Sequence, residues 1–157
     1  MGNNMKSVII SIKPTWCAKI ASGEKTIEVR RTRPKLDVPF LCHIYCTSVK
    51  SMPLDPYVKL HSQTGGAVDE WSGKVFGSFI CDAIYEIGGD AIPPEFGEKA
   101  CLPLADIHKY VGQHGYGWQI SEMQVYDKPL ELGELGITRP PQSWCYVEEK
   151  EATNVSL

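Results

Sequence analysis

The run KVFGSFICDAIYEI, residues 74–87, places the tightest constraint on the fold. Fourteen residues dominated by β-branched, aromatic and aliphatic side chains read as one strand, long enough to bend, with Gly77 marking a bulge or kink. Such a strand needs partners, and the chain supplies them. SVIISI (7–12), KTIEVRR (25–31), FLCHIYCTSV (40–49), WQISEMQVYDKPLEL (118–132) and SWCYVE (143–148) all carry strand character. Helical spacing is confined to two places. KPTWCAKIASG has Pro14 where a helix starts and Gly23 just past its end, predicting a helix over 14–22 with Trp16, Cys17, Ile20 and Ala21 on one face. LADIHKYVG predicts a second helix over 104–112, with Leu104, Ile107 and Val111 inward and Gly112 as its stop. Residues 51–73 read as a long loop with a short turn at 58–61, and GGDAIPPEFGEKACLP reads as irregular. Regular βαβ alternation is lacking. The expected class is therefore α+β: a mixed or antiparallel sheet of about six strands curled into a barrel, with two flanking helices.

A chain of 157 residues has the size of one domain and buries roughly 70% of its unfolded surface. Residues 1–6 and 149–157 read as loose ends around a domain spanning 7–148, the latter tail being acidic and polar. Apolar and charged fractions of 43% and 22% are those of a globular protein. With no apolar run of membrane length and no leader pattern at MGNNMKSVII, the expectation is a cytoplasmic protein with no membrane partner. Six cysteines without a CxxC pair are then expected as free thiols. In LCHIYC, Cys42 and Cys46 fall on one strand face beside Ile44, as buried small hydrophobes do. Neither a metal site nor a cofactor is expected.

The net charge of −3 argues against a surface that coats nucleic acid indiscriminately. Charge is nevertheless uneven: Lys13, Lys19, Lys25, Arg30, Arg31, Arg33 and Lys35 face only Glu24 and Glu28 within residues 13–35. GEKT lacks the glycine–lysine order of a phosphate loop, and GQHGYGW does not fit a dinucleotide turn. No GxSxG or HExxH motif occurs, and the four histidines stand singly. What remains is a helix, a turn at Gly23 and a strand on which Glu28 and Arg30 face away from Ile27 and Val29, with Lys25 at the turn. One reading is a solvated strand face with a surface ion pair of little energy. The other is a cleft in which arginines meet an anion, Lys25 donates to a base carbonyl and Glu28 accepts from an exocyclic amine. Trp16, Tyr116, Trp118 and Trp144 are either core residues or stacking platforms.

SIKPTWCAKIASGEKTIEVRR resembles the signature of the ASCH domain family, a branch of the PUA-like β-barrels, through Lys13, Pro14, Gly23, Lys25, Glu28 and Arg30. GYGWQISEMQVYDKPLEL is similar to that family's aromatic-led penultimate strand and RPPQSWCYVE to its closing strand, so the resemblance spans about 7–148. It implies a small PUA-like barrel with a basic cleft between the first helix and the sheet, and RNA, a nucleotide or a modified base or nucleoside as partner. The binding residues would be Lys13, Trp16, Lys25, Glu28, Arg30, Arg31 and Trp118. The alternative it implies is a metal-independent hydrolase, an acetylcytidine amidohydrolase or a ribonuclease, with Lys25 and Glu28 central. In the amidohydrolases the lysine works with a threonine three residues on; here that position is Glu28.

Overall fold

The computed structural model describes residues 5–48 and 70–149. The chain runs β1 (Met5–Ile12), α1 (Pro14–Ala21), β2 (Ile27–Arg30), β3 (Phe40–Cys46), β4 (Lys74–Ile87), α2 (Glu95–Ala100), α3 (Leu104–Val111), β5 (Gly115–Leu130), a 3-10 turn (Leu132–Leu135) and β6 (Trp144–Glu149). Its six strands form one sheet in the order β2-β5-β4-β3-β1-β6. Only β1 and β3 run parallel, with Val8 opposite Cys42 and Ile12 opposite Cys46; the other pairs are antiparallel. Most of the loop read at 51–73 lies outside the described residues.

Strand alternation sorts the side chains onto two faces. Val8, Ile10 and Ile12 of β1 and Cys42, Ile44 and Cys46 of β3 enter the main core, while Ile9 and Tyr45 fall into another cluster. Cys17 and Ile20 bring α1 down onto the main core, with Trp16 and Ala21 packed at its edge. A third cluster joins Ile27 and Val29 of β2 to Phe96 and Ala100 of α2 and Ile107 and Val111 of α3. The sheet bends at Phe76: the pairings of β4 with β3 and with β5 both slip between Val75 and Gly77. A side chain at Gly77 would run into the carbonyl oxygen of Gln124, so only glycine lets the two backbones approach there.

Three expectations need correction. The irregular reading of 88–103 missed α2, because Pro93, Pro94 and Gly97 interrupt the signals of a helix only six residues long. That makes three α-helices among the described residues rather than two. β1 begins at Met5, within the segment read as a loose end. Finally, the sheet does not close into a barrel by backbone bonds among the described residues, since β2 and β6 are its two ends. β2 pairs with β5 for only four residues, and side chains span the remaining gap. The Arg30 guanidinium of β2 reaches the Ser11 carbonyl at the end of β1 and the Ser143 hydroxyl just before β6. Thr32, beyond β2, accepts from Trp118 Nε1 through its carbonyl and from Trp144 Nε1 through its hydroxyl.

Candidate functional site: a cleft floored by a buried ion triad

The turn after α1 sets up the site. Pro14 opens the helix, and Gly23, at φ +86°, reverses the chain in a conformation other residues rarely adopt. The chain then re-enters the fold at Lys25, whose amide bonds back to the Lys19 carbonyl. Lys25 is only 2% exposed. Its ammonium donates to the carbonyl of Ala100, the last residue of α2, at 2.6 Å. It pairs with Glu28 Oε1 at 3.4 Å and lies 5.3 Å from the centre of the Trp16 ring. Thus the helix absent from the sequence reading supplies the acceptor that seats the lysine.

Glu28 is 7% exposed. Burial alone would raise its pKa, but the Lys25 ammonium and the Arg30 guanidinium outweigh that and hold the carboxyl below the usual carboxylate range. Its Oε2 receives both Nε and Nη2 of Arg30, each at 2.8 Å. Arg30 Nη2 also donates to the Ser11 carbonyl at 2.8 Å, and Nη1 to the Ser143 hydroxyl at 3.0 Å. The guanidinium is therefore enclosed by acceptors on all sides. Lys25, by contrast, has three ammonium protons and two oxygen partners.

This triad forms the floor of a cavity of about 730 Å³, within the size range of small-ligand pockets. Trp16, Tyr45, Ile107 and Tyr110 form walls; Lys13, Asp106, Pro141 and Gln142 also line it. Thr47 lines it too, with a buried hydroxyl that has no hydrogen-bond partner among the described residues. Tyr45, Thr47, Tyr110 and Gln142 carried no sequence signal, since they come from segments read only as strand end, helix end and loop. Burial pushes the Tyr45 phenol up, so it stands as a protonated group.

Of the sequence-predicted residues, Lys13, Trp16, Lys25, Glu28 and Arg30 all line this cavity. The reading of this strand as a solvated face with a surface ion pair does not describe Lys25 and Glu28, which are buried. Trp118 is corrected from stacking platform to core: it is fully buried, edge-on to Phe40 and Trp144. Arg31 does not line the cavity; it lies outside, stacked on the Tyr110 ring. All six cysteines are free. Burial raises the thiols of Cys17 and Cys42, and takes Cys81 to about 11, which leaves little thiolate for nucleophilic chemistry. Among the described residues no group of three or more His, Cys, Asp or Glu side chains gathers to hold a metal, and no helix is long and apolar enough to cross a membrane.

This mixed sheet with its helices is a fold the chain shares with solved ASCH proteins. The crystal structure of ASCH from Zymomonas mobilis matches it with a TM-score of 0.67 at 21% identity, covering 95% of this chain and 92% of that one. Two variants of that protein, one tyrosine-to-phenylalanine and one serine-to-alanine, match with the same TM-score of 0.67 at 20% and 21% identity. They cover 95% of this chain and 95% and 93% of theirs. No family model and no curated protein matches the chain.

Proposed function

We propose that this chain is an ASCH module that holds a nucleotide, a modified base or one nucleotide of an RNA in the cleft under α1. The observation that carries this reading is the buried Lys25–Glu28 pair on the floor of a nucleoside-sized cavity. The pair presents a donor and an acceptor side by side. Lys25 keeps one ammonium proton beyond its two oxygen partners, and a carboxylate has lone pairs beyond those Lys25 and Arg30 use. A base edge with an amine next to a carbonyl or ring nitrogen matches that order. The Trp16 ring provides an aromatic wall, the Thr47 hydroxyl seeks a partner, and exposed Lys13 offers a charge at the rim for phosphate. Arg30 takes a different part from the one its sequence position implied: its N–H groups hold the cleft's shape rather than the ligand.

The hydrolytic alternative draws less support. A lysine acting as base or nucleophile needs a free nitrogen lone pair, yet Lys25 Nζ already donates to the Ala100 carbonyl and pairs with Glu28 beside the Trp16 ring. Glu28, held as carboxylate by two cations, is a weak base for the same reason.

Titration of the protein with nucleosides, nucleotides and short RNA, followed by tryptophan fluorescence and calorimetry, tests the binding reading. Saturable binding is expected, weakened at least about tenfold by Lys25→Met in a variant shown to be folded by circular dichroism. Absence of binding across that panel, or equal affinity in the variant, removes the cleft as the site.

A further inference from the structure

The sequence motif RRTRPK plays no part in the cleft, yet it continues directly from it. Glu28, Val29 and Arg30 line the cavity; the next residues, Arg31 to Asp37, line a separate groove of about 480 Å³ whose far side includes Tyr116. Arg31, Arg33 and Lys35 place three positive charges there against one negative charge, Asp37, on a protein whose net charge is −3. Tyr110 lines the cavity, and Arg31, which lines the groove, sets its guanidinium 4.5 Å from the Tyr110 ring centre.

Arg31 is built as a fork. Its Nε donates to the Tyr110 carbonyl at 2.9 Å, and the ring packs against its guanidinium plane, while neither terminal nitrogen has a partner among the described residues. Two parallel N–H donors on an exposed, already oriented guanidinium match the two oxygens of a phosphate. Arg33 differs, since it folds back on the carbonyls of Pro34 and Leu36 and shapes the groove wall. Lys35 is exposed, and its amide is tied to the Tyr146 hydroxyl at 2.8 Å, which fixes the backbone that carries it.

A free mononucleotide in the cleft has no use for cations arrayed beyond the cavity wall. We propose that the ligand is one nucleotide of a single-stranded polynucleotide, with the adjoining phosphodiesters leaving the cleft past Tyr110 onto Arg31 and then Lys35. The proposal rests on the cleft reading above and extends it to the polymer. RNA and single-stranded DNA share the backbone chemistry that Arg31 and Lys35 would meet.

The test compares a mononucleotide, a five-nucleotide RNA and the matching DNA against the wild type, Lys25→Met and the exposed pair Arg31→Gln/Lys35→Gln, across a salt series. The expected result is that a five-mer binds more tightly than the mononucleotide. The Arg31→Gln/Lys35→Gln variant should lose that advantage while keeping mononucleotide affinity. Losing two phosphate contacts from a single strand flattens the salt slope by about 1.4, a loss of roughly 25-fold at 0.1 M salt relative to 1 M. Preference for the RNA or the DNA five-mer identifies which strand is the ligand. A mononucleotide that binds as tightly as both five-mers, or a five-mer affinity untouched by Arg31→Gln/Lys35→Gln, overturns the extension and leaves the cleft reading standing. A five-mer that binds equally well to Lys25→Met overturns both.

Discussion

Replacing Glu28 by glutamine removes one negative charge from between two cations with almost no change in shape. In the native protein the carboxylate is 7% exposed and pairs with Lys25 at 3.4 Å and Arg30 at 2.8 Å. Lys25, 2% exposed, cannot turn to water without leaving its place against Ala100. Removing one partner of a buried ion pair costs about 3–5 kcal/mol, because the other charge stays buried without compensation. The glutamine carbonyl can still accept one hydrogen bond, so the lower end, about 3 kcal/mol, is expected. For a domain of this size each kcal/mol shifts Tm by about 2–4 °C, so Glu28→Gln should melt about 6–12 °C below the wild type. Urea and thermal unfolding give both figures. The Lys25→Met/Glu28→Gln double variant should lose less than the sum of the single losses, with a coupling of about 1–3 kcal/mol.

The same pair sets a pH dependence. Because the folded protein holds Glu28 below the usual carboxylate range, folding gains stability from it at neutral pH. That gain is complete above the ordinary carboxylate pKa and disappears as pH falls through the depressed folded-state value. Wild-type stability should therefore fall with acidification, and the stability curve of Glu28→Gln should be flatter over the same interval. A loss below about 1 kcal/mol at neutral pH, or parallel pH curves, would mean that water already reaches the pair and that the cleft floor is not desolvated.

Other consequences can be measured separately. Arg30→Met should cost about 3 kcal/mol or more by urea unfolding, since it removes bonds to Glu28, Ser11 and Ser143, whereas Arg31→Met, at an exposed position, should stay within about 0.5 kcal/mol. Gly77→Ala should destabilise by about 1–3 kcal/mol or more by forcing β4 and β5 apart at the Gln124 carbonyl. A thiol reagent should modify partly exposed Cys101 and Cys145 first and reach Cys17, Cys42, Cys46 and Cys81 only on unfolding. Acetylcytidine and short RNA incubated with the purified protein should be recovered intact by chromatography, because Glu28 is held as a carboxylate and Lys25 Nζ is engaged by Glu28 and the Ala100 carbonyl.

Local rules made α1 and β2 legible. Pro14 and Gly23 bracket the helix, and the alternation of Ile27 and Val29 with Glu28 and Arg30 fixes which face each side chain takes. Lys25 could be singled out because it stands two residues after Gly23, which turns the chain at positive φ at the end of α1. The partners that decide what these residues do were not legible, since they are distant in sequence: Ala100 lies 75 residues from Lys25, and Ser143 lies 113 from Arg30. Periodicity also could not separate Trp16, which lines the cleft, from Trp118, which is fully buried, although both pack with the same core cluster.

Arg30 shows why that gap matters for function. An arginine beside a glutamate on a short strand reads equally well as a phosphate hand or a surface pair. Here the same guanidinium holds the Glu28 carboxylate and bridges from β2 to the β1 end and the approach to β6, where the backbone ladder stops. Closing the sheet and shaping the cleft floor are thus one set of bonds. A substitution at Arg30 that abolished ligand binding would therefore not identify a ligand contact. Arg31, whose terminal nitrogens are not used at all among the described residues, is a position at which loss of binding can be separated from loss of structure, whereas at Lys25, which also holds Glu28 and the Ala100 carbonyl, binding is read only alongside a measured stability.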